Sequence, residues 1–422
     1  MSLNIQLTTS ATQMLYKHTR YFGVLFVLAF YINCISAQET FVGMSTEGGK
    51  EFGLIFSTNN NGEQQKTLHQ FDGVSGAFPY YTNLCESNSG KLYGLCSQGG
   101  QFNLGVLFEY DTVSNQSKKI IDFNGAGNGS NPRGSLVVSP NGKLYGMCSQ
   151  GGNNNYGVLF EYNPSSNSFV IKHHFDGNNG RNPFGNLTYH SSGKLYGLTY
   201  QGGSSNDGIL FEFLLSNDSF YKRHDFDGSS SGRNPFGSLF QASNGLMYGM
   251  TYQGGANNFG VIFSFDPSTN IFDHRIDFDG SNSGSNPYST FAQGTNGNLY
   301  AMTYLGGSNN LGTLFEYDIS NNTINKKLDF NGTNNGRNPF GNLTLANNGL
   351  FYAQTPYGGA NNAGTIFSFD PSNNSYAKKL DFSSGSQGRL PFGSLFLASN
   401  QTFYGMTYQG GTSNSGVLFQ YN

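Results

Sequence analysis

A Gly-Gly pair returns along the chain at a near-constant interval, at Gly48-Gly49, Gly99-Gly100, Gly151-Gly152, Gly202-Gly203, Gly254-Gly255, Gly306-Gly307, Gly358-Gly359 and Gly410-Gly411, in steps of 51 or 52 residues. A period of this size belongs to propellers, solenoids and arrays, in which each copy is one supersecondary unit and neighbours bury a shared core. The copies are numbered here by these pairs, first to eighth. The fifth is the most regular, with Leu246-Met247-Tyr248-Gly249-Met250-Thr251-Tyr252-Gln253-Gly254-Gly255 followed by Gly260-Val261-Ile262-Phe263.

Four strand-like runs fill this copy. The first spans Pro235 to Ala242, and Asn244-Gly245 is a strong hairpin signal leading into the second, Leu246 to Tyr252. After the Gly-Gly turn the apolar run Gly260 to Asp266 reads as a strand buried on both faces, and Pro267-Ser268-Thr269-Asn270 turns the chain into the fourth, Ile271 to Phe278. Four antiparallel strands in about 50 residues make a propeller blade, so the expected fold is an all-β propeller. Gly249 recurs as Gly94, Gly146, Gly197 and Gly405, varied only to Ala301 and Ala353. A missing side chain inside a strand marks close approach of another group, and aromatic rings of the adjacent blade are expected to fill it. With no Trp in the chain, Phe263, Phe315, Phe367, Tyr248, Tyr300 and Tyr352 must supply the bulk.

The repeat covers nearly all of the 422 residues, so residues 38–422 read as one propeller domain of eight repeats. The first copy lacks its innermost strand and the last ends without an outermost one. Eight blades use every strand, whereas seven leave a hairpin without a place. Ahead of the repeats, Lys17, His18 and Arg20 precede the apolar Tyr21 to Ile32, and Ile35-Ser36-Ala37 ends in a small residue. Residues 1–37 are therefore expected to be a signal peptide, with Met14 the better start, and the mature protein to be secreted without a membrane span. Cys34 follows Tyr31-Ile32-Asn33, a poor match to the small residues that lipid attachment requires.

Only 11% of residues are charged and the net charge is -3, which argues against nucleic acid, since that partner needs a basic footprint. Beyond the signal remain Cys85, Cys96 and Cys148, an odd number without metal spacing, and Cys96 and Cys148 stand where other copies have Thr251, Thr303 and Thr407. A monomer held by its core rather than by crosslinks is expected.

The pattern Leu-Tyr-Gly-Met-Thr, two residues, Gly-Gly, then Gly-Val/Thr-Ile/Leu-Phe, clearest over Leu195 to Phe211, Leu246 to Phe263 and Thr402 to Phe419, resembles the GloVer tandem repeat, a secreted bacterial family. The resemblance runs from Phe41 to the C-terminus and implies a β-propeller and export. It implies no reaction, so no catalytic residue is carried over.

Catalysis in a repeat protein requires groups that break the pattern, and most carboxylates here follow it. Glu109, Glu161, Glu212 and Glu316 share a third-strand slot; Asp122, Asp225, Asp277, Asp329 and Asp381 share one near the end of the fourth; turn capping and solvation are expected of both sets. Glu86 and Asp207 stand off the pattern without forming an acid–base pair. Asp225-Phe226-Asp227-Gly228 and Asp277-Phe278-Asp279-Gly280 place two carboxylates on one strand face. Turn capping is the expected use of these, with calcium the alternative and no other cofactor implied. His69, His173 and His224 replace Ile276, Leu328 and Leu380 and are expected to be half-exposed, too far apart to share a metal. Asn186-Leu187-Thr188 and Asn342-Leu343-Thr344 matter only in a glycosylating host.

Strand alternation puts the Gly-Gly turns and the loops leading into each first strand on one face. That face carries the candidate ligand-binding residues Tyr200, Gln201, Tyr252, Gln253, Tyr408 and Gln409, together with Arg181, Arg233, Arg337 and Arg389, which share one slot. Ser130 and Ser285 take that slot in two other copies, and Arg133 falls three residues later. With no matching acidic slot in the same loops, four arginines would form a partial ring suited to an anionic ligand. Aromatic rings beside amides and guanidinium groups suit an extracellular glycan or protein. The expected function is a non-catalytic binding module; a propeller-fold polysaccharide lyase or glycosidase and a purely structural surface protein are the alternatives, because fold alone does not set function. The competing role for the arginines is to cap loops of their own blades.

Overall fold

The computed structural model describes residues 41–45, 54–58, 66–78, 82, 84–383, 388–397, 403–407, 409 and 418–421. The expected signal segment and Tyr408 lie outside them. The described residues contain no helix, and their strands form eight antiparallel sheets hydrogen-bonded in chain order, apart from one short extra pairing in the third copy. In the fifth copy the strands are Phe240–Gln241, Met247–Met250, Val261–Asp266 and Ile271–Asp277. The first sheet has three strands, Phe41–Ser45, Leu54–Thr58 and Lys66–Gln70, as does the last, Phe396–Leu397, Phe403–Met406 and Leu418–Tyr421. A register shift falls at the same place in the outer pair of each of the first seven copies, as between Ile262 and Phe263 or Leu314 and Phe315. Such bulges bend and twist a strand.

The first strand is far shorter than its apolar run predicts. Pro235 has no N–H to give a ladder, and the residues after it bond sideways instead. The amide of Ser135 donates to Asn186 Oδ1 (2.7 Å), Asn186 to Ser238 Oγ (2.8 Å), Ser238 to Thr290 Oγ1 (3.1 Å), Thr290 to Asn342 Oδ1 (2.7 Å) and Asn342 to Ser394 Oγ (2.9 Å). One small polar slot per copy thus links the innermost segments of the third to eighth copies into a belt. The glycine just before that slot makes the approach possible: a Cβ on Gly185 would stand 2.6 Å from the Gly237 carbonyl oxygen, and one on Gly341 2.1 Å from that of Gly393.

The second-strand glycine is filled differently from expectation. A Cβ on Gly249 would lie 2.3 Å from the Phe263 ring, and Phe263 belongs to the same copy, directly across the ladder. The ring lies over its own sheet's glycine and then meets Phe226 of the preceding copy at 5.3 Å between centroids. The core therefore lies between sheets. One cluster joins Tyr196, Leu198, Leu210 and Phe226 of the fourth copy to Met247, Phe263 and Phe265 of the fifth. Neither sheet could bury these residues alone, which is why the repeat must stack.

The third-strand glutamates are not solvated turn caps. Glu212 is fully buried and accepts from Tyr196 Oη (2.9 Å), from Arg223 Nε and Nη2 (3.1 and 2.9 Å) and from Lys194 Nζ (3.3 Å). Glu161 pairs with Tyr145, Lys143 and Lys172; Glu316 with Tyr300, Lys327 and Asn298; Glu109 with Lys91 and Tyr93. Burial opposes the charge on Glu316, but Lys327, Asn298 and Tyr300 outweigh it and bring the carboxyl down to about 2. In the fifth and seventh copies Ser264 and Ser368 replace the glutamate, and Leu246 and Leu350 replace the facing lysine. The tyrosines of those copies bond instead with Asn244 and Asn348.

Candidate functional site

The innermost segments also build the face. In each Asn-Pro pair the asparagine takes a left-handed conformation, with φ 52° at Asn182, 55° at Asn234, 55° at Asn286 and 51° at Asn338. Asparagine tolerates that region because its short amide can bond locally. Here its Nδ2 donates to a carbonyl of the preceding copy: Asn234 to Tyr200, Asn286 to Tyr252 and Asn338 to Tyr304, all at 2.9 Å. With the backbone reversed and proline fixing the next φ, the following side chain is aimed inward. Phe184, Phe236, Tyr288, Phe340 and Phe392 then touch in sequence, with centroids 5.5, 4.8, 4.6 and 6.1 Å apart. Phe236 and Phe340, two copies apart, lie 6.4 Å from one another, so these rings converge on one centre. In the third copy Arg133 occupies the aromatic slot, and its guanidinium lies 4.9 Å from the Phe184 ring centre.

Tyr200 and Tyr252 surround that centre. Tyr200 packs on Phe184 at 5.2 Å and Tyr252 on Tyr288 at 4.7 Å, with Tyr304 equivalent in the sixth copy; in the seventh, Pro356 takes that slot and Tyr357, in the glutamine slot, packs on Phe392 at 5.7 Å. Burial raises the Tyr200 phenol above its ordinary range, as it does that of Tyr304. The glutamines contribute through backbone: Gln201, Gln253 and Gln409 pair with Arg181, Arg233 and Arg389 in short antiparallel bridges. In the sixth copy Ser285 pairs with Leu305, and in the seventh Arg337 pairs with Tyr357.

The four arginines differ in surroundings. Arg233 Nη2 donates to Asn258 Oδ1 (2.8 Å) and Arg337 Nη2 to Asn362 Oδ1 (3.2 Å), each in its own copy's Gly-Gly loop. Arg181 lies 5.5 Å from the Tyr156 ring centre and Arg337 5.6 Å from that of Tyr357. The Nε atoms of Arg181, Arg233 and Arg337 are buried without a hydrogen-bond partner. Arg389 is exposed. An acidic neighbour does exist in these loops: Asp207 is coupled to the Arg233 guanidinium, whose charge opposes the burial that nevertheless leaves the carboxyl raised. The single Asp, without a repeated acidic slot, concealed this neighbour from sequence reasoning. The converging aromatic centre was also missed, although its Pro-Phe-Gly signal was visible; that those rings meet depends on ring geometry.

The remaining sequence candidates are structural. Asp122, Asp225, Asp277, Asp329 and Asp381 accept the amide following each Gly-Gly pair, at 2.8 to 3.0 Å. Asp227 accepts the amides of Ser229, Ser230 and Ser231, and Asp279 those of Asn282 and Ser283. His173 and His224 are half-buried and stack at 3.7 and 3.5 Å on Phe220 and Phe272 of the next copy, and burial lowers both to about 4. Cys85, Cys96 and Cys148 are free thiols. Among the described residues, no three His, Cys, Asp or Glu side chains gather as a metal site would require, and no helix is long and apolar enough to cross a membrane.

The family model described as the Gloeobacter/Verrucomicrobia repeat matches residues 5–192, 129–292 and 278–422. No curated protein matches the chain. Among solved structures, the extracellular domain of a putative one component system from B. thetaiotaomicron is similar, with a TM-score of 0.53 and 15% identity over 80% of this chain and 38% of that one. Oligogalacturonate lyase from Vibrio parahaemolyticus gives a TM-score of 0.50 and 9% identity, covering 91% of this chain and 97% of the lyase. The chain thus spans well under half the length of the sensor-protein structure, and at these identities both likenesses show the propeller-like fold alone.

Proposed function

The chain belongs to the Gloeobacter/Verrucomicrobia repeat family, and from that premise we propose that it is an exported, monomeric, non-catalytic propeller that binds an anionic extracellular glycan or protein through its Gly-Gly face. The observation that carries this reading is the set of guanidinium groups on the face that holds the aromatic centre: Arg337 lies against Tyr357 and Arg233 acts on Tyr200, both tyrosines packing on the converging rings, Arg181 lies against Tyr156, and each of the three keeps a buried Nε without a partner. A cationic rim around apolar rings gives a carboxylate-bearing polymer both charge complementarity and a surface on which to rest. Export follows from the expected signal at 1–37, and calcium has no part in this reading.

The test is a screen of the purified protein against acidic and neutral glycans, followed by a search for turnover of every ligand found. Binding concentrated on uronic-acid polymers, without chain cleavage, is expected. Asp207 beside Arg233 is the off-pattern carboxylate a lyase or glycosidase would use. Turnover that disappears in Asp207→Asn would replace the binding module with an enzyme.

A further inference from the structure

At each junction on the Gly-Gly face, one variable residue of a copy meets the arginine slot of the next. The backbone fixes this meeting: the amide after the slot donates to the variable residue's carbonyl, as Asn182 does to Tyr156, Asn234 to Asp207, Asn286 to Phe259 and Asn338 to Leu311, at 2.7 to 2.9 Å. The partners match in chemistry at two junctions. Tyr156 is covered by the Arg181 guanidinium, and the Asp207 carboxyl and the Arg233 side chain come together over Gly228. Between the fifth and sixth copies the aromatic is present as Phe259, but the slot holds Ser285.

The junctions differ in exposure. Leu104, Tyr156, Asp207 and Leu311 are half-buried and Ala363 is buried, while Phe259 is 37% exposed. Its ring is held firmly: a Cβ on Gly280 would lie 2.7 Å from the ring edge, so the ring rests directly on that backbone. Around it lies an open cleft of about 330 Å³ lined by Phe259, Asp279, Ser281, Ser285 and Asn310. Asn310 is the equivalent of Asn258 and Asn362, whose Oδ1 atoms accept both a Gly-Gly amide and an arginine Nη2; Asn310 Oδ1 accepts Gly306 N at 3.0 Å. The junction of the fifth and sixth copies therefore keeps the aromatic ring, the amide acceptor and a nearby carboxylate, and lacks the guanidinium found at the Arg181, Arg233 and Arg337 junctions. Lys326 reaches the Ser281 carbonyl at 3.2 Å and is neutralised by Asp329 at 2.9 Å.

We propose that this cleft binds a guanidinium group supplied by a ligand, stacked on Phe259 and donating to Asn310 Oδ1 beside the Asp279 carboxylate. The group takes the place that the repeat's own arginine would fill. The cleft volume is at the lower end of the roughly 300–1,000 Å³ of small-molecule sites, enough for a single side-chain-sized cation. The site goes beyond the anion-binding rim and has the opposite charge preference, so the two fail independently.

Calorimetric titration of the full chain with argininamide tests the proposal, with methyl glucoside as neutral probe and a short peptide carrying one arginine as the same group on a polypeptide. Saturable binding of argininamide or of the peptide is expected, and which of the two binds tells whether the guanidinium comes free or from a protein partner. Ser285→Arg, which restores the repeat's residue, should abolish that binding while leaving or strengthening binding of acidic polymer. Phe259→Ala should weaken argininamide by about twofold to thirtyfold, the range of a cation–π contact. Unchanged affinity in the folded Ser285→Arg protein, equal binding of methyl glucoside, or binding of neither cationic probe would overturn the proposal.

Discussion

Replacing Glu212 with alanine is expected to cost about 3 kcal/mol of stability, because removing one partner of a buried ionic network leaves the others uncompensated. Glu212 is fully buried, while the Arg223 and Lys194 side chains it neutralises are 22% exposed, and Tyr196 would lose its acceptor as well. The fifth copy shows how the protein manages without this glutamate: Ser264 accepts from Arg275 at 2.8 Å, Leu246 replaces the lysine and Asn244 serves Tyr248. Adding Lys194→Leu and Ser192→Asn to a Glu212→Ser protein should therefore recover most of the loss. Chemical denaturation of the three proteins checks this. A combined variant no more stable than Glu212→Ala would show that the network does not hold the sheet as described.

Gly341→Ala should cost about 2 kcal/mol, toward the upper part of the 1–3 kcal/mol usual for overpacking, since the new methyl would lie 2.1 Å from the Gly393 carbonyl oxygen. A backbone oxygen cannot rotate away, so the two copies would have to separate and stretch the bond from Asn342 N to Ser394 Oγ. The matching Gly393→Ala supplies the control, because nothing lies within 4 Å of its added Cβ. Equal melting temperatures for these two proteins would contradict the close inner belt.

The sheets were legible in the sequence because they are marked by residues with one physical use: Gly-Gly pairs, Asn-Gly turns and apolar runs such as Val261-Ile262-Phe263, buried on both faces. What misled was whatever depends on the neighbour. Pro235 to Ala242 is apolar enough for a strand, yet its Ser238 amide bonds to the next copy, and only Phe240–Gln241 pairs in the ladder. Glu212 looked like a solvated repeat position because its partners stand on the flanking strands, and register alone brings Tyr196 and Tyr221 opposite it. The arginine slot was found correctly by spacing. Asp207 beside Arg233, and Ser285 beside Phe259, are single departures from the pattern, and their meaning appears only once the copies are placed side by side.

The proposed role of the Gly-Gly face is tested most directly by titrating polygalacturonate into the wild-type protein and Arg233→Gln/Arg337→Gln at low and high salt. The account predicts salt-sensitive binding by the wild type and none by the double variant. The accompanying fall in melting temperature should be small, since each guanidinium gives up one exposed hydrogen bond to Asn258 or Asn362. Unchanged binding with a clear loss of stability would contradict it and leave the arginines as caps of their own loops.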